Sequence, residues 1–531
     1  MKVIGYHIAP NIIANSEGAF QTEPPYLDFL MRDITLGKSI KVLYNMDYSV
    51  ACLLRMIGLS EEQCKELWET KSLWMVQGYE LDYIPGRWFS VKLRSDKAWA
   101  GFSDMSQYEP DYVPEETDRG HCLHYANMAC SAGQAVCSAL ERLELYPKSL
   151  TSPIAVYEKE VLREMDLPSA EDVPEEAAWY AYECRKGPWV ECFKRGHWSV
   201  AYDYDMRSAY GYFLGKLLDI RLGAWVHIDS YVSMAHYGYC KGRVTIDKPF
   251  SPIVYDDGGQ LYTPVGTWET YLTKGEIDFI NKWGLGKFEI EDGWWWCPES
   301  VETPLYKEVD RLHMQKQVGN KQVKRVLSGI WGKLLETPPL TLKALLAYIA
   351  EGRRNYFNPV WGAEVEVETR LAVAEFVLSN DMAEHVLSVA VDGVLAEHSA
   401  AIDSNNTIGS WRLSYECPTV VISSGLNVLQ DRKGIGGFAV QYDWLQKQAR
   451  NAPSVAEYTL TRISSVTLGK AMEQGKFKQL GELEEVTRVV SVNREMKRWY
   501  EKEPRNGKEL LSGQYRSEPL EVSMIMEAEG E

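Results

Sequence analysis

Two strand-like runs in this chain end in aspartates that can meet only through tertiary structure. The first, WSVAYDYD (198–205), delivers Asp205 at its exit, and the second, HVLSVAV (385–391), is followed at once by Asp392 in SVAVDGVLAE. The two carboxylates stand about 190 residues apart, so a fold that unites them must close a long excursion around one sheet. Asp392 and Gly393 read as the tip of a tight hairpin. Between the two runs lies KEVDRLHMQKQVGNKQVKRVLSGIWGK (307–333), which carries seven Lys or Arg against two acids. Converging carboxylates can hold Mg²⁺ ions about 3.5–4 Å apart and so stabilise the attacking and leaving oxygens of a phosphoryl displacement. A lysine-bearing helix beside them neutralises a triphosphate. Taken singly, the basic run reads equally well as the solvated face of a helix, and an Asp-Gly step as an ordinary turn. The order acid, basic helix, acid says more than any one part.

A chain of 531 residues exceeds one core of usual size, and two to four domains are expected. Its 45% hydrophobic and 25% charged residues describe a folded soluble protein. No apolar run approaches the roughly 18 residues of a membrane span, and MKVIGYHIAPN lacks the pattern of a signal peptide, so an intracellular chain without a membrane partner is expected. Ten scattered cysteines with no C-x-x-C argue against a zinc ribbon and against a disulfide framework. HCLH (His121 to His124) reads as a packed or surface pair before it reads as a metal site. The net charge of −18 is a whole-chain average, whereas phosphate contact needs only a local basic surface. Such surfaces are offered by 307–333 and, more weakly, by 461–510. Acids gather instead in EKEVLREMDLPSAEDVPEE (158–176), whose Pro and Ser read as a linker or excursion.

Further strands are expected at 41–45, 242–246 and 418–423, and helices at 49–58, 304–318, 365–381 and 454–463. Strands and helices do not alternate regularly, which disfavours a doubly wound parallel sheet. The middle of the chain reads as an α+β domain with an antiparallel sheet.

The same residues carry a resemblance. YDYDMRSAYG (202–211) resembles the first polymerase motif of family B DNA polymerases, D-x-x-S-L-Y-P, with Asp205, Ser208 and Tyr210 in register and Gly211 where proline is usual. KRVLSGIWGK (324–333) resembles the second, K-x-x-x-N-S-x-Y-G-K: Lys324, Gly332 and Lys333 match, while Ser328, Gly329 and Trp331 replace Asn, Ser and Tyr. SVAVDGVLAE resembles the third, D-T-D-[SG], with Asp392 as the second aspartate and Ala390 in place of the first. GPWVECF (187–193) is similar to the segment that precedes the first motif in small phage polymerases. Order and spacing suit the compact phage-type members, the protein-primed ones included, over residues 185 to 430. The element K-x-Y that contacts primer is expected downstream, where LNV (426–428) stands instead.

What the resemblance implies is specific. Asp205 and Asp392 become metal ligands, for Mg²⁺ or its substitute Mn²⁺. Lys324 binds the incoming triphosphate, with Arg311 and Lys321 as helpers on the same segment, and Ser208 and Tyr210 join the nucleotide site. The Tyr210 ring lies beneath the sugar and excludes a 2′-hydroxyl. Ordinary aromatic core is the other reading of Tyr210 and Trp331. The implied partners are primer–template DNA and dNTPs, with a terminal protein or other replication proteins in the protein-primed case. The implied setting is the cytoplasm of a bacterial host of a phage or mobile element.

In the N-terminal part, KVLYNMDYSVACLL (41–54) resembles the second exonuclease motif of that family, N-x-x-Y-D, with Asn45 and Tyr48 in place and Ser49 where the carboxylate belongs. EEAAWYAYECRKG (175–187) resembles the third, with Tyr180 present and Cys184 in place of aspartate. The first, D-x-E, has no counterpart in MKVIGYHIAP, and Asp47 reads as a turn residue. Without those acids two metals cannot be held, so an RNase H-like scaffold without 3′–5′ exonuclease activity is expected.

The expected architecture is α+β and multidomain: an RNase H-like, exonuclease-type α/β domain over 1–190, followed by a right-hand polymerase. Its palm, with the antiparallel sheet, spans 191–300 and 334–440, its fingers 301–333 and its thumb 441–531. Segment 336–362 is a candidate insertion. Three functions stay open at this stage. The first is a DNA-directed DNA polymerase without proofreading. The second is a catalytically inactive polymerase-like scaffold that binds DNA, favoured by Ala390. The third is a nuclease or other two-metal phosphoryl transferase.

Overall fold

The computed structural model describes residues 2–31, 39–93, 98–105, 118–147, 149–150, 152–335, 341, 344, 347, 357–402, 405–432, 440–492 and 497–528. The candidate insertion at 336–362 lies largely outside them. The chain forms two compact units. One comprises Met1–Met165, Val318–Val326 and Thr461–Arg488, and the other Asp166–Gln317, Leu327–Leu460 and Val489–Glu531. The break at Met165 falls within the acidic Pro/Ser segment 158–176, parts of which fold as a short helix and 3₁₀ turns.

The first unit is built on an eight-stranded mixed sheet. Its strands are β1 (Lys2–Ala9), β2 (Ile12–Asn15), β3 (Phe20–Gln21), β4 (Ser39–Leu43), β5 (Ser72–Val76), β6 (Tyr79–Ile84), β7 (Trp88–Leu93) and β8 (Ala98–Asp104), in the order β3-β2-β1-β4-β8-β7-β6-β5. β1, β4 and β8 run parallel and the rest pair antiparallel. From Val3 to Ala9 strand β1 is buried throughout, as a central parallel strand covered on both faces must be. Helices α1 (Met46–Met56) and α2 (Arg119–Glu141) pack against it. The approach of α2 requires Gly5, because a Cβ there would lie 1.9 Å from the Ala126 carbonyl oxygen.

The second unit contains an eight-stranded sheet whose pairs are all antiparallel. It comprises β9 (Val190–Cys192), β10 (Lys194–Met206), β17 (Val386–Ala390), β18 (Gly393–Ala396), β19 (Trp411–Ser423), β20 (Leu426–Leu429), β23 (Arg498–Tyr500) and β24 (Gln514–Pro519). β11 (Gly223–His227), β12 (Tyr237–Ile246), β15 (Gly266–Thr273) and β16 (Gly286–Pro298) form a second antiparallel sheet, and β13 (Tyr255–Asp256) pairs with β14 (Leu261–Tyr262). The helices of this unit include α3 (Glu175–Cys184), α4 (Ala209–Leu214), α5 (Lys274–Trp283), α6 (Tyr306–Gln317) and α8 (Pro359–Ser379). Helix α7 (Lys321–Leu334) begins among the residues of the first unit and ends among those of the second.

Helix α8 is apolar around most of its circumference and is buried accordingly. Its Val367, Val373 and Phe376 pack with Tyr204, Val389 and Val394, which come from three strands of the large sheet. One ion pair is sealed into this packing. Arg370 Nη2 donates to Glu276 Oε1 at 2.7 Å, with both side chains about 1% exposed. Glu276 Oε2 also accepts from the Thr273 backbone N–H at 2.9 Å, which caps α5, and Arg370 Nη1 reaches the Gly187 carbonyl at 3.1 Å.

The expected α+β character holds in a mixed, multi-sheet architecture. One expected helix does not form. From Glu457 the segment 454–463 enters strand β21 (Glu457–Ser465), which pairs with β22 (Leu483–Ser491). Its YTLTRIS run is rich in β-branched residues, and a cross-strand partner decides the state of such a run. Among the described residues, no helix is long and apolar enough to cross a membrane.

Removing one partner of a buried ion pair strands the other charge, at a cost of about 3–5 kcal/mol. Arg370→Met is therefore expected to lower the unfolding free energy by about that amount. Glu276→Met on the same background should restore part of it, and urea denaturation of the three proteins checks both.

Candidate active site on the antiparallel sheet

Strand β10 presents alternate side chains on one face, so Asp203 and Asp205 point the same way. Asp205 lies opposite Gly393 of β18 and Arg412 of β19, and Asp203 lies opposite Leu395 and Tyr415. The end of β10 is tied to the hairpin tip, since the Met206 N–H donates to the Asp392 carbonyl at 3.0 Å. Asp205 and Asp392 are thereby brought together by backbone hydrogen bonds, and Asp203 joins them.

The hairpin differs by one residue from the expected Asp-Gly turn. Ala390 pairs with Gly393, which leaves Val391 and Asp392 as the two turn residues. Val391 takes φ 60°, a position glycine usually fills, and its N–H is held by the Trp189 carbonyl at 2.8 Å. Gly393 serves close packing instead, because a Cβ there would sit 3.2 Å from the Tyr204 carbonyl. The shift places Asp392 beside the exit of β10. Ala390 stands across Gly393 from Asp205 and contributes no acid.

Cations offset the crowded carboxylates. Arg412 donates to Asp205 Oδ2 through Nε at 2.9 Å and Nη2 at 2.6 Å. Asp203 is pushed up to about 6, by burial first; the charges of Asp205 and Asp392 add to the shift, and Arg432 and Arg412 oppose it. Asp203, Asp205 and Asp392 thus lie near one another with two guanidinium groups beside them, and the Asp205 carboxylate is engaged by Arg412.

Beyond the acids, Ser208 enters α4 in the left-handed region (φ 53°) and accepts a hydrogen bond from Lys316 Nζ of α6 at 2.5 Å. Tyr210 and Trp331 are stacked, with ring centroids 4.8 Å apart and planes 7° from parallel. Burial, then the charges of Glu366 and Asp392, push the Tyr210 hydroxyl up to about 12. Trp331 Nε1 donates to the Gly362 carbonyl at 3.4 Å. Arg311 is engaged on its own helix, where it makes two hydrogen bonds to Glu308 at 2.6 and 2.8 Å. Lys324 lies on α7 within the part assigned to the first unit, and the Lys321 side chain lies outside what the structure describes.

The sequence argument gave no role to Asp203, Lys316, Arg412 or Arg432. Asp203 was legible, being two residues before Asp205 on a strand. Lys316 is one of seven cations in 307–333, and nothing local in that run sets it apart from the others. Arg412 and Arg432 depend on strand pairing and loop placement, for which the sequence carries no local signal.

In the first unit, Asn45 caps α1, its side chain accepting from the Tyr48 N–H at 3.3 Å. Ser49 is buried, donates to the Tyr44 carbonyl at 3.0 Å and accepts from the Ile8 N–H at 3.4 Å. Burial pushes His7 of β1 down to about 4, which keeps it neutral. Asp47 accepts from the Tyr83 hydroxyl at 2.6 Å and the Gly86 N–H at 2.7 Å, and so fastens the β6–β7 turn. In the second unit, Cys184 is fully buried and its thiol is held well above its ordinary range by burial. Tyr180 donates to Asp292 at 2.6 Å.

No family model and no curated protein matches this sequence. Solved structures do. The chain is similar to phi29 DNA polymerase in its ternary complex with primer–template DNA and incoming nucleotide substrates, at 9% identity and a TM-score of 0.59 over 92% of this chain and 100% of that one. It is similar to the orthorhombic crystal form of the same polymerase at 9% identity and 0.58 over the same shares. To the complex with single-stranded DNA it is similar at 11% identity and 0.53, over 79% and 85%. At such identities the likeness is one of fold, and that fold is a DNA polymerase's.

Asp203 gives a pH test. An acid whose carboxyl titrates near 6 when folded and near about 4 when unfolded makes the folded state lose stability as pH rises through that window. In metal-free buffer, Asp203→Asn should therefore be more stable than the parent at pH 8, with the advantage shrinking toward pH 4. Urea denaturation at the two pH values reads it, and an equal advantage at both would show that burial does not govern Asp203.

Proposed function

We propose that this chain is a DNA-directed DNA polymerase that adds dNTPs to a primer 3′-hydroxyl and does not proofread. The observation that carries the reading is that Asp205 and Asp392, the two acids at the motif positions, lie side by side at the end of β10 and the tip of the β17–β18 hairpin, with Asp203 near them, within a DNA polymerase fold. Asp205 and Asp392 would hold Mg²⁺, which would supply charge stabilisation to the phosphoryl group being transferred. The chain's own residues do the rest. The β10–β18 ladder fixes the backbone at Asp205 and at Gly393 beside Asp392, and Arg412 pairs with the Asp205 carboxylate. Lys316 orients Ser208 at the entry to α4, and the Tyr210–Trp331 stack offers a flat wall against a sugar or base. Lys324 is the residue assigned to the triphosphate, with Arg311 and Lys321 as the other cations of that segment. On this reading the palm is formed by 191–300 and 334–440, the fingers by 301–333 and the thumb by 441–531. On the same reading residues 1–190 are an RNase H-like part without nuclease function, and Ser49 of the first unit and Cys184 of the second both occupy buried structural places.

A second reading is a polymerase-like scaffold that binds DNA without catalysis. Ala390 and the closed Asp205–Arg412 pair favour it.

Gel-resolved extension of a 5′-labelled primer on a recessed DNA template, with Mg²⁺ and dNTPs, separates the two. Template-dependent lengthening is expected, with no shortening when dNTPs are withheld. Asp392→Asn should lose several kcal/mol of transition-state stabilisation, a rate fall of at least about 100-fold. A primer that is bound yet unchanged in Mg²⁺ and Mn²⁺ establishes the scaffold, and one that shortens establishes a nuclease.

A further inference from the structure

The hairpin that carries Asp392 at its tip has a second set of chemistry-bearing residues at its open end. His385 immediately precedes β17, and Glu397 and His398 immediately follow β18. The Glu397 N–H donates to the His385 carbonyl at 3.0 Å, which holds the two chain ends in register. His385 Nδ1 lies 3.0 Å from Glu397 Oε1, and the rings of His385 and His398 stand 4.1 Å apart at 63°. One donor atom from each of the three lies within 4.8 Å of the others.

We propose that His385, Glu397 and His398 form a transition-metal site, of Zn²⁺ type, that staples the open end of the β17–β18 hairpin. Two imidazoles and one carboxylate are a borderline-soft donor set, matched to Zn²⁺ or Co²⁺ and poorly matched to Mg²⁺. Three protein ligands leave a fourth position for water. The carboxylate is already oriented, because Trp198 Nε1 donates to Oε2 at 3.1 Å and Lys194 Nζ to Oε1 at 2.6 Å, both from β10. Groups that fix a ligand from behind in this way are a regular part of protein metal sites. His385 and Glu397 are partly buried and His398 is exposed, so the ion has a path in from solvent. The site serves the strand pair, and it is independent of whether the acids at the hairpin tip support polymerisation. The alternative for the same atoms is a plain ion-pair network centred on Glu397, in which Lys194 is the permanent cation.

Cobalt distinguishes the two. The full chain, stripped with EDTA, is titrated with Co²⁺ and followed by visible absorption. A saturable band at one equivalent is expected, displaced by Zn²⁺ and unaffected by millimolar Mg²⁺. His398→Ala, at an exposed position, and His385→Ala should each weaken binding by at least about tenfold, whereas His121→Ala should not, with far-UV circular dichroism confirming that each variant folds. Zn²⁺ should also raise the thermal midpoint of the parent and not that of either of the first two variants. Absence of a band, or a band that survives both His385→Ala and His398→Ala, overturns the site.

Discussion

Like charges do not gather unless something else holds them, and in this chain that something is a backbone ladder. β10 runs the length of the large sheet between β18 and β19, and its hydrogen bonds set where Asp203, Asp205 and Asp392 lie before any side-chain interaction acts. Repulsion among the three is moderated by Arg412 and Arg432 and, below about pH 6, by a proton on Asp203. The strand's opposite face supplies the rigidity: Tyr204 is clamped among apolar residues of α8 and of β17 and β18. The backbone part of this geometry is set by folding, whereas the Asp205 carboxylate is held in an ion pair with Arg412.

How much of this could be read in the sequence depended on the range of each signal. Asp205 and Asp392 were legible because each ends a short apolar run, a local feature. The antiparallel character of the sheet followed from the irregular order of strands and helices. By contrast, the hairpin turn was misplaced by one residue, since Asp-Gly is a strong turn signal and the packing of Gly393 against the Tyr204 carbonyl is a tertiary fact. The strand at Glu457–Ser465 was read as helix because its partner, β22, begins only at Leu483. Arg412 was invisible for the same reason, as it becomes significant only once β19 is in register with β10.

The first unit shows a complementary case, an interior held by neutral groups. Ser49 and His7 are not idle there. Ser49 bridges Tyr44 to Ile8, and His7 stacks with Tyr48 at 6.0 Å and lies against Tyr125. A buried neutral network of this sort stabilises the sheet without any ion.

The Glu276–Arg370 pair has a bearing on how such a sequence can drift. Each residue also does local work, Glu276 as the cap of α5 and Arg370 as a donor to Gly187. A single replacement at either position leaves a charge in a dry interior, so substitution history at these two sites must be concerted or must pass through a less stable intermediate.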